Sequence, residues 1–137
     1  MSRDSGNAFS TDRARTILVI EDNPMNMKLV RTVLQIGGHK VIEAVDAETG
    51  IQLAFKNRPD LILMDIQLPG MDGLEATKVL KQSEISREIP IIALTSYAMQ
   101  GDEKKAKNAG CDGYICKPID TRTFLAVLEK FLSPAAD

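Results

Sequence analysis

Carboxylate side chains stand where two apolar runs of the sequence stop. Asp65 comes directly after "LILM" (61–64), and Glu21 and Asp22 come directly after "TILVI" (16–20). Three carboxylates that lie close together repel one another, and a divalent cation between them removes that repulsion. Donor sets made only of oxygen suit Mg²⁺, which keeps several waters and binds phosphate oxygens. A carboxylate beside such an ion can attack phosphorus and form an aspartyl phosphate.

Two more groups suited to phosphoryl transfer follow later apolar runs. Thr95 comes after "IIAL" (91–94), and Lys117 comes after "GYIC" (113–116). Phosphoryl transfer depends more on stabilising charge on the phosphoryl oxygens than on moving a proton. Lys117 would supply a positive charge for those oxygens, and Thr95 a hydrogen-bond donor. His39 is the only histidine of the chain, and no serine triad is built around it.

The apolar pattern predicts five strands. The runs are short and rich in Ile, Val and Leu, and three of them are continuous rather than alternating, which is typical of strands covered on both faces. The predicted strands are "TILVI" (16–20), "KVIEAV" (40–45), "LILM" (61–64), "IIAL" (91–94) and "GYIC" (113–116).

Segments with helical spacing lie between the predicted strands. The first begins after Asn23, an N-cap that a proline follows, and ends at the pair Gly37-Gly38. Its apolar residues recur every four positions, at Met25, Leu29 and Val33, with Val30 and Leu34 beside them. The other helices are expected at about 47–57, 73–81 and 98–109, and after Asp120.

Alternating strands and helices with short connections require right-handed crossovers and a parallel sheet covered by helices on both sides. The predicted fold is therefore α/β: a flavodoxin-like, doubly wound, five-stranded parallel sheet with five helices. Ligands of such sheets bind beyond the carboxyl ends of the strands. The three carboxylates, the threonine and the lysine are thus expected to meet at one edge of one sheet.

Length and composition limit the other possibilities. The 137 residues suit one domain, expected at 16–132 between a flexible leader, 1–15, and a tail, 133–137. The net charge of −2 predicts neither a nucleic-acid nor a membrane partner. No apolar stretch has membrane-spanning length, and two cysteines without a signal peptide favour the cytoplasm. Those cysteines and one histidine are too few for a zinc site.

Four motifs in this order resemble those of receiver domains of two-component response regulators. They are "VIEDN" (19–23), "LILMDIQLPGMDG" (61–73), "ALTS" (93–96) and "YICKPI" (114–119), and the likeness covers about residues 16–132. The stretches "EDNPMNMKLV" and "DLILMDIQLPGMDGLEATK" are similar to single-domain regulators of cell division. The receiver domains of hybrid kinases share much of this sequence.

The resemblance implies roles for the acidic residues. Asp65 would be the phosphoacceptor, and Mg²⁺, with Mn²⁺ as an alternative, would be the cofactor. Asp22 would bind the ion directly, Glu21 mostly through water, and Gln67 through its backbone carbonyl. Glu21 stands where many members of the family have aspartate, which adds one methylene of reach.

The resemblance also implies a switch and partners. Thr95 and Tyr114 would form the switch pair, Lys117 would contact the phosphoryl group, and the peptide bond before Pro118 would be cis. The donor would be a histidine kinase or a histidine phosphotransfer protein. An effector or kinase protein would be contacted through the face of the fourth helix, fifth strand and fifth helix, including Met99, Lys105 and Tyr114. The chain itself is expected to be a monomer that catalyses only its own phosphorylation and dephosphorylation.

The resemblance also implies that two side chains tune the lifetime of the phosphoryl group, because the family uses their positions to set the rate of hydrolysis. Gln67 follows the acceptor by two positions, and Tyr97 follows the switch threonine by two. The amide of Gln67 would orient a hydrolytic water, whereas the bulky, neutral Tyr97 would cover the site. A water that is kept out cannot be oriented, so we expect a comparatively long-lived phosphoprotein.

Other functions remain open from the residues. An aspartyl-phosphate phosphohydrolase usually has a second aspartate two residues after its nucleophile, where this chain has Gln67. A flavodoxin-like flavin binder would need a phosphate-cradling loop after the first strand, and "EDNPMN" lacks glycine. A scaffold receiver that is never phosphorylated would not need the complete acidic, threonine and lysine set. Asn23 is interpreted as a helix cap only, and the cluster of Lys104, Lys105 and Lys107 as a solvated helix face.

Overall fold

Five parallel strands form a single sheet at the centre of the molecule. A computed structural model describes residues 15–95 and 101–132 of the chain. The strands are β1 (Thr16–Ile20), β2 (Lys40–Ala44), β3 (Leu61–Asp65), β4 (Ile91–Thr95) and β5 (Gly113–Cys116). Their order is β2-β1-β3-β4-β5, and all neighbouring pairs are parallel. This is the flavodoxin-like order, so the predicted fold class is confirmed.

Helices cover both faces of this sheet. In chain order they are α1 (Pro24–Ile36), α2 (Ala47–Asn57), α3 (Gly73–Gln82), α4 (Asp102–Ala109) and α5 (Phe124–Glu129). α1 and α5 lie together on one face. α2 and α3 cover the other face, and α4 packs against α3. None of the helices described here is long and apolar enough to cross a bilayer.

The strands contribute to two separate cores. Alternate residues of each strand point to opposite faces, so Ile17 and Leu63 pack under α1 and α5 whereas Leu18 and Met64 pack under α2 and α3. Both kinds of residue are fully buried in β1 and β3. The continuous apolar runs are therefore strands covered on both faces, as predicted from the sequence.

The buried face of α1 includes Val30, Val33 and Leu34 of the expected apolar set, and the other two residues of that set are exposed. Met25 and Leu29 are 81% and 38% exposed, whereas the buried residues are Met27, Val30, Val33 and Leu34. Residues spaced by four advance about 40° around a helix with each step, because the α-helix has about 3.6 residues per turn. Because of this rotation, Met25 and Leu29 face away from the sheet, whereas Val33 faces it.

The remaining elements agree with the expected ones except at their ends. Asp65 and Thr95 are the last residues of β3 and β4 rather than the residues that follow them. α5 ends at Glu129, and Phe131 and Leu132 pack against the core from the turn beyond it. Lys104, Lys105 and Lys107 are exposed on α4, as a solvated helix face requires. The expected tail, 133–137, and the leader before Arg15 lie outside the described residues.

Candidate functional site

The carboxyl ends of β1, β3, β4 and β5 place the candidate residues at one edge of the sheet. Connections from β1 and β3 leave in opposite directions there, the point where ligands bind in sheets of this topology. Asp65 ends β3 and is 2% exposed, and Glu21 follows β1 and is 1% exposed. The backbone N–H of Glu21 donates to the carbonyl of Ala44 in β2 at 3.0 Å. The carboxylates are thus held by the sheet itself.

The Asp65 carboxylate has a partner on each oxygen. The backbone N–H of Gln67 donates to Oδ1 at 2.9 Å, and the Nζ of Lys117 donates to Oδ2 at 3.1 Å. A hydrogen bond from residue i+2 is the usual Asx-turn contact, which fixes the rotation of the carboxylate at the strand end. Lys117 is the charged residue that the sequence predicted to lie near Asp65.

Glu21 holds the same lysine more closely. Its Oε1 lies 2.7 Å from the Nζ of Lys117, and its Oε2 accepts the backbone N–H of Asn23 at 3.0 Å. The contact at Oε1 is an ion pair without the direction of a hydrogen bond, so this buried oxygen has no hydrogen-bond partner among the described residues. The sequence did not predict the Glu21–Lys117 contact. Lys117 therefore bridges two buried carboxylates.

Burial and pairing act in opposite directions on these charges. Burial raises the pKa of Glu21, and the contacts with Lys117 and the Asn23 N–H only partly oppose it. Burial alone would lower the pKa of Lys117, but the contacts with Glu21 and then Asp65 outweigh it and raise that pKa. The lysine is consequently an ammonium at neutral pH.

The acidic residues meet the requirements of a cation site. Glu21, Asp22 and Asp65 each offer one carboxylate oxygen, and these oxygens lie within 4.8 Å of one another. Glu21 and Asp65 are buried and Asp22 is exposed, so the group opens to solvent on one side. The Glu21 oxygen that has no hydrogen-bond partner is available as a ligand atom for a cation. Three oxygen donors with an open side fit Mg²⁺, which retains waters.

The expected switch residues lie on neighbouring strands. Thr95 is fully buried, and its register partner in β5 is Cys116. Tyr114 is two residues before Cys116 on the same strand and half-buried, and residues two apart share a face of the sheet. Thr95 and Tyr114 are therefore diagonal neighbours on one face.

The segment after β5 is tied to the end of β4. The backbone N–H of Lys117 donates to the carbonyl of Thr95 at 2.6 Å. The Lys117–Pro118 peptide bond is cis, as the resemblance implied. The lysine side chain that reaches the carboxylates thus starts from a backbone position fixed by the neighbouring strand.

The two residues expected to tune hydrolysis have different outcomes. Gln67 is exposed two positions after the acceptor. Tyr97 lies outside the described residues, as does Met99 of the expected partner face. Their proposed roles stay predictions.

Local sequence signals begin the helices that border the site. Asn23 caps α1, since its Oδ1 accepts the backbone N–H groups of Met25 and Asn26 at 2.9 and 3.0 Å. Asp72 and Glu75 form a capping box at the start of α3. Both caps were readable from the sequence as asparagine or aspartate before a helical segment.

Gly73, which was not among the residues predicted from the sequence, packs against the backbone of Asp65. A Cβ added to Gly73 would overlap the carbonyl oxygen of Asp65 and lie 2.6 Å from the Cα of Ile66. The N–H of Gly73 also donates to the carbonyl of Ile66 at 3.3 Å, and its own carbonyl accepts the hydroxyl of the buried Thr77 at 2.8 Å. The glycine in "MDG" was the available signal for this close approach.

Comparison with protein families gives one family over most of the chain. The model of the response regulator receiver domain matches residues 17–129. Among curated proteins, the polar-differentiation response regulators DivK of Brucella anthropi and Brucella ovis are each 43% identical over 121 residues. That match spans 88% of this chain and 98% of each relative.

Solved structures give the same fold. The receiver domain of a sensor histidine kinase from Pseudomonas aeruginosa superposes with a TM-score of 0.81 at 36% identity, covering 86% of this chain and 97% of that one. Its crystal structure has a magnesium ion coordinated in the active-site cleft. The chemotaxis response regulator CheY4 of Vibrio cholerae gives a TM-score of 0.80 at 28% identity, covering 85% and 98%.

Proposed function

The chain belongs to the response regulator receiver domain family, and from this premise we propose that it carries a phosphoryl group on Asp65 as a relay or switch of a two-component phosphorelay. The observation that carries the proposal is the Asp65 carboxylate, buried at the end of β3 and contacted by the Lys117 ammonium at 3.1 Å. The DivK relatives are matched along 98% of their own length, which supports a similar signalling role, acting in the cytoplasm through partner proteins.

In the proposed reaction an oxygen of Asp65 attacks the phosphorus of a phosphohistidine on a histidine kinase or a phosphotransfer protein. The new P–O bond gives an acyl phosphate, the P–N bond breaks, and the leaving imidazole takes up a proton. The Gln67 N–H orients the carboxylate, and the Lys117 ammonium balances negative charge on the phosphoryl oxygens. The reaction needs no further catalytic histidine from this chain.

We assign the cofactor Mg²⁺ to Glu21, Asp22, Asp65 and the backbone carbonyl of Gln67. The carboxylate oxygens within 4.8 Å of one another support this set. When bound, the ion supplies positive charge for the phosphoryl oxygens. The comparisons favour Mg²⁺ over Mn²⁺, since the similar Pseudomonas aeruginosa receiver holds magnesium.

The proposal is tested by supplying acetyl phosphate, a small acyl phosphate donor, to the purified chain. With Mg²⁺ we expect one phosphoryl group per chain, bound as an acyl phosphate that hydroxylamine releases; with a chelator we expect none. The rival phosphohydrolase function predicts instead catalytic release of phosphate from small phosphate esters. Steady turnover of such esters without a labelled protein would overturn the phosphoacceptor assignment.

Replacing Asp22 by alanine should weaken Mg²⁺ binding. Asp22 is the exposed member of the acidic group, so its loss leaves the buried core of the site in place. We expect the Mg²⁺ dissociation constant, measured by calorimetry, to rise at least about tenfold. Removing a residue that only hydrogen-bonds to a metal ligand already weakens metal binding about tenfold, and Asp22 is proposed as a ligand itself. Labelling at low Mg²⁺ should fall in parallel.

A variant that loses the same charge elsewhere provides the control for Asp22→Ala. Glu84 is exposed in the loop that precedes β4, at the opposite edge of the sheet, so Glu84→Ala should bind Mg²⁺ with unchanged affinity. Equal affinity of Asp22→Ala and the parent protein would remove Asp22 from the ligand set.

The output of the switch is proposed to be a change of surface. A phosphoryl group on Asp65 would attract the Thr95 hydroxyl, and Tyr114, its diagonal neighbour, would then turn inward. This would remodel the face formed by α4, β5 and α5, including Lys105, which we propose as the surface that an effector or kinase protein binds. Thr95→Ala should keep the phosphoryl group and lose this response.

NMR amide shifts test the proposed output. Phosphorylation of the parent protein should shift amides around Asp65 and also at Tyr114 and along α4. Phosphorylated Thr95→Ala should show only the first group. Shifts that leave α4 and β5 untouched and extend along α2 would contradict the proposed surface.

A further inference from the structure

Asn23 lies between the acidic group and α1, and its side chain and its backbone N–H make different contacts. Its side-chain Oδ1 accepts the N–H groups of Met25 and Asn26 in the first turn of α1. Its own N–H donates to Oε2 of Glu21 at 3.0 Å. One residue thus joins the start of a helix to a carboxylate of the proposed metal site.

The contact from Asn23 fixes one of the two oxygens of the Glu21 carboxylate. Glu21 is 1% exposed, and the Asn23 N–H is the only hydrogen bond that its carboxylate makes with the residues described here. The Lys117 ammonium lies 2.7 Å from the other oxygen, Oε1, and holds that oxygen by charge. With Oε2 bound to the Asn23 N–H, Oε1 is the oxygen left for Lys117 and for a cation.

The Asn23 N–H points at Glu21 because residue 23 is held in an extended conformation, with φ −86° and ψ 120°. The following proline disfavours the helical conformation at this position. The two hydrogen bonds accepted by the side chain prevent movement relative to the first turn of α1. The Asn23 carbonyl also accepts the Met27 N–H at 2.9 Å. Without the side chain, this backbone hydrogen bond alone would tie residue 23 to α1, and the N–H would be held less firmly toward Oε2.

We infer that Asn23 is a positioning residue, whose helix cap orients the buried Glu21 carboxylate for binding of the divalent cation. The inference rests on the proposed function, since it concerns the cation assigned to that site. It gives a reason for the short spacing between the acidic pair and the cap in "EDNP". A cap alone would serve α1 equally well if the acidic residues were farther away.

Asn23→Gly is the variant that separates positioning from helix stability. Glycine at an N-cap retains most of the helix stability that asparagine gives, but it offers no side-chain acceptor and leaves the backbone freer. We expect the Mg²⁺ dissociation constant of the unphosphorylated protein, measured by calorimetry, to rise about tenfold. Asn23→Ser, which restores an acceptor at the cap, should return the affinity to within about twofold of the parent value.

Asp46 offers a matched pair of controls on α2. Its Oδ1 caps that helix by accepting the Thr49 N–H at 2.7 Å, and it is not a member of the acidic group. Asp46→Asn keeps the cap without the charge, and Asp46→Ala loses both. The two variants should bind Mg²⁺ with equal affinity. That result would show that loss of a helix cap does not by itself weaken Mg²⁺ binding.

The parent protein distinguishes the failure of this inference from the failure of the proposed function. A parent protein that binds no Mg²⁺ would overturn the proposed metal site, and with it this inference. A parent protein that binds Mg²⁺ no better than Asn23→Gly does would overturn the positioning role alone. An Asn23→Ser variant that binds as weakly as Asn23→Gly would also overturn it.

Discussion

Replacing Asp65 by asparagine should abolish phosphorylation while leaving the fold intact. The amide has nearly the shape of the carboxylate, and its oxygen can still accept the Gln67 N–H that Oδ1 accepts at 2.9 Å. It is neutral and far less nucleophilic, so no acyl phosphate can form. We expect labelling by acetyl phosphate to fall to background in Asp65→Asn, with an unchanged circular dichroism spectrum.

A second aspartate at the opposite end of the same strand provides the control for Asp65→Asn. Asp60 precedes β3, where its Oδ2 accepts the N–H of Thr16 at 2.8 Å, a contact that asparagine can also make. Asp60→Asn should therefore fold and label like the parent protein. Normal labelling of Asp65→Asn would place the phosphoryl group on another residue and end the assignment.

Gly73→Ala should damage both the stability and the acceptor. The added Cβ would overlap the carbonyl oxygen of Asp65 and come within 2.6 Å of the Cα of Ile66. Both neighbours are backbone at the end of a buried strand, so neither can turn aside as a flexible side chain would. Overpacking of this kind costs about 1–3 kcal/mol. We expect that loss in the free energy of unfolding, together with a clear fall in labelling.

Gly70 in the same loop separates damage to the acceptor from loss of stability. It has φ 74°, and a Cβ added to it would meet nothing within 4 Å. Gly70→Ala should lose about 1–2 kcal/mol through the left-handed backbone conformation but retain the parent rate of labelling. If both variants label at the same rate, Gly73 does not hold Asp65 in place.

The sequence predicted the fold because each strand carries its own signal. Runs such as "LILM" are long enough for a strand and are bounded by turn residues. Asn23 and Asp72 are of the residue types that favour N-cap positions, and each directly precedes a helix. The orientation of a helix about its own axis carries a weaker signal. α1 has apolar residues on more than one side, and only packing against β1 and β2 decides that Met27 is buried and Met25 exposed.

The sequence predicted which side chains meet at this edge of the sheet but not the contacts among them. Parallel topology alone brings Glu21, Asp65 and Lys117 to one edge of the sheet. That Lys117 lies closer to Glu21 than to Asp65, at 2.7 against 3.1 Å, depends on side-chain reach and rotation, which no spacing in the sequence encodes. The close approach of Gly73 to Asp65 likewise depends on the path of the loop between β3 and α3.

The acidic group and its lysine come from strand ends far apart in the chain, and Lys117 lies 52 positions after Asp65. In the unfolded chain these groups are dispersed, so a cation that needs all three carboxylates binds the native state alone. Binding of that kind stabilises the native state by mass action, by about 2.7 kcal/mol when the free ion stands at one hundred times its dissociation constant. The free magnesium concentration of the cell would then set how often this chain opens to proteases, apart from any signal it carries.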